Sequence, residues 1–152
     1  MILKPEIKEL MEQSVLCWLA TVSEESMPNV SPKEIFTAFG QDQVIIANIA
    51  SPQTVRNIKT QPQVCLSFVE VLVQKGYQLK GNARIATESD PGYQEMKQTL
   101  EDMTLGKFPF GSIIVMEVES VKPILAPSYL FYPETQEADQ IQEAKRRYNL
   151  EV

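Results

Sequence analysis

The feature that most restricts this chain is the shortness of its apolar runs, each bounded by turn-forming residues. Val15–Val22 (VLCWLATV), Val44–Ile49, Val64–Leu72 (VCLSFVEVL), Tyr77–Thr87 and Gly111–Val121 all have the length of a strand rather than a buried helix. Met27–Ala38 reads as one further strand, with Pro28 and Pro32 placing part of it at an edge or bulge. Ser23–Ser26, Gly40-Gln-Asp and Gln74-Lys-Gly supply turns, and Gly81 marks a bulge or a close backbone approach. Residues 123–132 read as a last short strand. Helical spacing is confined to four segments. Residues 3–14 place Leu3, Ile7, Leu10 and Met11 on one face, and residues 51–60 form a short helix. A third helix starts at Ser89, capped by Ser89 or Asp90, with Tyr93, Met96, Leu100 and Met103 on its apolar side. The fourth, Glu134–Tyr148, is acidic at its start and basic at its end, which complements the helix dipole. Six or seven antiparallel strands with flanking helices make a mainly β, α+β architecture of the meander-like barrel kind, not a βαβ alternation. With 152 residues and neither repeat nor linker, a single domain over 1–152 is expected. Its barrel core covers about 10–132 and its C-terminal helix about 134–148.

Composition removes most of the familiar chemistry. There is no histidine, so neither a histidine-containing triad nor a His-ligated zinc or iron can be built. The six glycines allow neither GxGxxG nor GxxxxGK[ST]. Cys17 and Cys65 lie in apolar runs without CxxC spacing and read as small buried hydrophobes in a reducing compartment. No metal site is expected. A net charge of −6 repels phosphate backbones, which argues against a nucleic-acid partner. The apolar runs are too short to span a bilayer, and MILKPEIKEL lacks a signal-peptide h-region. No membrane partner and a cytoplasmic location follow. Trp18, Tyr129 and Tyr132 read as core, Met96 and Met103 as helix-face packing. Any catalysis would take its reactivity from an organic cofactor.

Two segments carry local signals. Ser51-Pro52-Gln53-Thr54-Val55-Arg56-Asn57-Ile58 has a favoured N-cap followed by proline at the first helical position. Its free N–H groups and side-chain donors could hold an anion just after a strand; on spacing alone it is a well-capped helix. Pro28-Asn29-Val30-Ser31-Pro32-Lys33-Glu34 interrupts a strand with two prolines. It could offer backbone groups to a planar ligand, and on its own it is a proline-protected edge strand.

Taken in order, VLCWLATVSEESMPNVSPKEIF, VIIANIASPQTVRNIKTQPQVCLSF and YQLKGNARIA resemble the pyridoxamine 5′-phosphate oxidase-like FMN-binding split-barrel superfamily. The resemblance covers roughly residues 10–121. It implies a split β-barrel that dimerises with itself and holds FMN at the interface. The flavin ring would pack along Asn29, Val30, Ser31, Pro32 and Lys33, with Ala47 and Asn48 close by. Ser51, Gln53 and Thr54 would cradle the phosphate, and Asn57 would support the turn. The implied activity is a flavin-dependent oxidoreductase with a small-molecule electron donor or acceptor. A non-enzymatic FMN carrier or flavin sensor, and a small barrel that binds no flavin, are the alternatives. Two departures stand out. Gln53 and Thr54 are neutral where relatives commonly carry basic residues, leaving Lys33, Arg56 or Lys80 to supply a cation. The C-terminal LAPSYLFYPETQ also lacks the Arg/His-rich signature of the true oxidase, which argues against pyridoxamine phosphate as substrate. No catalytic residue is assigned.

Overall fold

The computed structural model describes residues 1–151, and its centre is one seven-stranded antiparallel sheet. After α1 (Pro5–Gln13), β1 (Cys17–Val22) and β2 (Pro28–Lys33) form one hairpin, and β3 (Phe36–Phe39) and β4 (Gln43–Ala47) another. Then come α2 (Pro52–Thr60), β5 (Gln63–Glu70), β6 (Lys75–Ala86), α3 (Tyr93–Thr104) and β7 (Ile113–Leu125), followed by α4 (Pro127–Phe131) and α5 (Glu137–Arg147). In space the strands run β2-β1-β5-β6-β7-β4-β3.

That order requires closure. β2 and β3 are the two edges of the sheet, yet only Glu34 and Ile35 separate them along the chain. Three Cα steps of about 3.8 Å reach at most ~11 Å. Seven strands laid flat at a spacing of about 4.8 Å would put their edges ~29 Å apart. The sheet must therefore curl until its edges meet, and the result is a split barrel.

Apolar side chains pack on both faces of this sheet. Leu19, Phe36, Ile46, Leu66, Phe68, Leu79 and Met116 fill the interior, with Leu3 just ahead of α1, Ile7 and Met11 of α1 and Ile58 of α2 packed into the same cluster. On the opposite face α3 lays Tyr93, Met96 and Leu100 against Ile45, Ala47, Ile113 and Val115. β4 and the first half of β7 are thus buried on both sides, which is why they read as unbroken apolar runs. The equivalent outer face of β1 and β2 is apolar but bare. Trp18 pairs with Pro32 and Ala20 with Val30, and Trp18 and Val30 are 47% and 57% exposed.

The predicted bulge is present, as a register shift between Lys80 and Gly81. A Cβ on Gly81 would lie 1.9 Å from the Glu117 carbonyl oxygen, so only glycine fits this crossing.

Other expectations are corrected. The single strand read over Met27–Ala38 is two strands on opposite edges of the sheet. The last short strand over 123–132 does not exist as such. β7 continues through Pro123 to Leu125 because β6 extends to pair with it, and Pro127 then opens α4. α3 begins at Tyr93 with Gly92 as its N-cap (φ 80°), since the Asp90 carboxylate instead accepts the Thr87 N–H at 2.7 Å. Trp18, Tyr132 and Met103 are exposed rather than core, and Cys65 is only half-buried. Tyr129 is half-buried, its hydroxyl donating to the Val73 carbonyl at 2.7 Å.

Candidate functional site

The helix α2 begins where β4 runs out, and the polar groups gathered there define the site. Ser51 is its N-cap and Pro52 its first residue, so Gln53 and Thr54 carry the first free N–H groups at this end. The Ser51 hydroxyl does not cap the helix. It donates to the Ile49 carbonyl at 3.2 Å and accepts a hydrogen bond from the Lys33 ammonium.

Lys33 is the last residue of β2. It pairs in register with Cys17, points inward and is 6% exposed. None of the ion pairs among the described residues includes it. Burial pulls its ammonium below the ordinary lysine range, with a small opposing influence from Cys17. Burial likewise pushes the Cys17 thiol up to about 12, so this neighbour stays neutral and supplies no counter-charge. An uncompensated buried cation beside the positive end of a helix is a site for an anion.

The other side chains of the segment hold α2 in place. Asn57 and Thr21 are both buried, and Asn57 Nδ2 donates to Thr21 Oγ1 at 2.9 Å, fastening α2 to β1. Gln53 Nε2 donates to Asn57 Oδ1 at 2.8 Å, and its Oε1 accepts from the Arg56 guanidinium at 2.7 Å. Gln53 and Arg56 are therefore engaged with each other along the helix flank, and Lys80 is exposed on β6. Of the three cations left open by the sequence, Lys33 is the one at the helix start. The Thr54 side chain is buried, so its backbone N–H is what the helix end offers.

A groove of about 260 Å³ follows the seam, lined by Pro32, Lys33, Glu34, Ile35, Ala47, Ile49 and Phe108. It brings together Pro32, Lys33 and Ala47 of the expected set. Asn29, Val30 and Ser31 lie further along β2, with Val30 on the bare outer face and Asn29 and Ser31 paired opposite Thr21 and Leu19. Asn48 lies in sequence between the groove residues Ala47 and Ile49. Its Nδ2 donates to Ser112 Oγ at 2.8 Å and its N–H to the Ser112 carbonyl at 3.1 Å. Its buried Oδ1 has no partner. Sequence reasoning missed Phe108, Ser112 and Thr21, because each joins the site through a distant segment that no local pattern marks. Among the described residues no group of three or more potential ligands gathers to hold a metal, and no helix is long and apolar enough to cross a membrane.

Solved structures share this architecture. HupZ from Group A Streptococcus superposes with a TM-score of 0.67 at 25% identity, covering 78% of this chain and 90% of that one. An FMN-binding protein from Syntrophomonas wolfei gives 0.64 at 18% identity, over 77% and 82% of the two chains. HutZ, the heme storage protein from Vibrio cholerae, gives 0.64 at 20% identity, over 82% and 96%. No curated protein sequence matches the chain. The family model described as pyridoxamine 5′-phosphate oxidase matches residues 3–123, from the residue that leads into α1 almost to the end of β7. Because that span contains both edges of the barrel and everything placed between them, the chain belongs to the pyridoxamine 5′-phosphate oxidase family of split barrels.

Proposed function

We propose that this protein is an FMN-binding flavoprotein and acts as a flavin-dependent oxidoreductase on a substrate other than pyridoxamine phosphate. The observation that carries this reading is the Lys33 ammonium, buried, without a carboxylate, and hydrogen-bonded to Ser51 at the start of α2. It answers the departure at Gln53 and Thr54 by bringing the missing cation from another strand. A terminal phosphate fits this donor set, and its charge would offset the desolvation that depresses the Lys33 pKa. The apolar groove walls Pro32, Ile35, Ala47 and Ile49 suit a flat ring. When bound, FMN would supply the electron transfer, while these residues bind and orient it. The segment LAPSYLFYPETQ forms the end of β7 and α4 and brings no Arg or His with which to hold a substrate phosphate.

The working unit in this reading is a homodimer with FMN at its interface. At about 260 Å³ the groove is smaller than the roughly 300–1,000 Å³ of typical ligand pockets. Pro32 belongs both to the groove and to the bare apolar face beside Trp18. A second copy laid on that face would cover it and complete the groove in one step. A haem reading, raised by HutZ, would need an iron ligand other than histidine, and the buried, protonated Cys17 thiol is a poor substitute.

The test is the absorption spectrum of the native protein and mass identification of what it releases on denaturation. A flavin spectrum with FMN released is expected. A colourless protein that fails to quench FMN fluorescence on titration would overturn the proposal. Turnover with NADH or NADPH and an acceptor separates the oxidoreductase from an FMN carrier.

A further inference from the structure

The loop between α3 and β7 supplies one wall of the groove, through Phe108. Both ends of this loop are fixed. Leu105 and Gly106 turn the chain off α3 through two successive left-handed residues (φ 54° and 73°), and Ser112 is hydrogen-bonded to Asn48. Phe110 packs against the core under α3. Phe108 takes no part in either core cluster and is 54% exposed, although burying it would be favourable. An aromatic side chain left exposed next to Pro109 in a loop held at both ends, on the rim of a groove, is placed for a flat partner.

We infer that Phe108 is the aromatic wall that stacks on the isoalloxazine ring in the seam groove. This inference rests on the FMN reading above, and it deepens that reading by separating ring recognition from phosphate recognition. Lys33, Ser51 and the α2 N–H groups address the phosphate; Phe108 addresses the ring. Phe108 is therefore indifferent to whether the flavin carries a phosphate.

The experiment titrates wild type, Phe108→Ala, Phe108→Trp and Lys33→Met against FMN and riboflavin, following flavin fluorescence. Phe108→Ala should weaken both flavins about equally, by about tenfold. Phe108→Trp should hold both near wild-type affinity and deepen the quenching, while Lys33→Met weakens FMN alone. Because Phe108 is exposed and outside the core, circular dichroism of the alanine variant should match wild type. A Phe108→Ala variant that binds both flavins as tightly as wild type overturns the inference and leaves the FMN reading intact. A loss confined to FMN would also overturn it. A wild type that binds neither flavin removes the FMN reading and the inference with it.

Discussion

Replacing Lys33 by methionine should move stability and FMN affinity in opposite directions. Lys33 is 6% exposed, and its ammonium faces a hydroxyl and a neutral thiol. Without an anion its charge is therefore a cost to the fold. Methionine keeps most of the length and removes the charge. Exchanging buried charged groups for apolar ones of similar size is often neutral or stabilising by about 1–4 kcal/mol. At about 2–4 °C per kcal/mol for a chain of this size, the apo melting temperature should rise by roughly 2–8 °C if one or two kcal/mol are gained. Ser51 is not orphaned, since its hydroxyl keeps the Ile49 carbonyl. FMN should bind more weakly. A hydrogen bond to a charged group contributes about 1.5–3 kcal/mol, or roughly ten- to 150-fold in affinity. Riboflavin, which has no phosphate, should be unaffected.

The pH dependence has a definite sign. The folded-state pKa of Lys33 lies below its unfolded value of 10.5. Between those two pH values the unfolded chain holds a proton that the folded chain has shed. Apo stability from this group therefore rises with pH across that window, and the methionine variant should lose the rise. The preference for FMN over riboflavin needs the ammonium, so it should begin to fall as the pH rises through the folded-state pKa of Lys33. Thermal melts and paired flavin titrations at several pH values measure both. Equal weakening of FMN and riboflavin, or a melting temperature lowered by several degrees, would refute the argument.

Charge on the bare face should prevent the proposed homodimer from forming: Trp18→Glu or Val30→Lys is expected to leave monomers by sedimentation, and to weaken FMN binding. A wild type that sediments as a monomer at micromolar concentration with FMN still bound would contradict the interface. Gly81→Ala should lower the melting temperature through a clash with the Glu117 carbonyl, since overpacking costs typically about 1–3 kcal/mol, whereas Gly111→Ala, with open space around it, should not. Equal melting temperatures for these two variants would mean that β6 and β7 do not cross as described.

The parts of the structure that depend on near neighbours in sequence were legible. The amphipathic spacing of α1, the proline start of α2 and the glycine bulge in β6 each follow from residues within a turn or two. What failed depends on pairing and contacts made outside the segment itself. Nothing local divides Met27–Ala38 at Glu34, because the division comes from which strands the two halves join. Trp18 looked like core because its strand is apolar on both faces, and a single chain covers only one of them. The cation at the helix start was legible as a need but not as a residue. Lys33 and Ser51 are 18 positions apart and meet only once the barrel has closed.

Closure through Glu34 and Ile35 also bears on the order of assembly. The pairings β1–β2, β3–β4, β5–β6 and β6–β7 join strands that follow one another in the chain, whereas β1–β5 and β4–β7 bring together distant segments. Loop-closure entropy makes such non-local pairings late events in folding. The seam is fixed only when both have formed, so the groove is among the last features to be built and, by the same token, among the first to loosen. A ligand that bridges Lys33 on one edge and the start of α2 beyond the other would act as a clasp across that joint. Its signature would be slowed amide hydrogen exchange along β2 and β3, with little change in the β5–β7 meander.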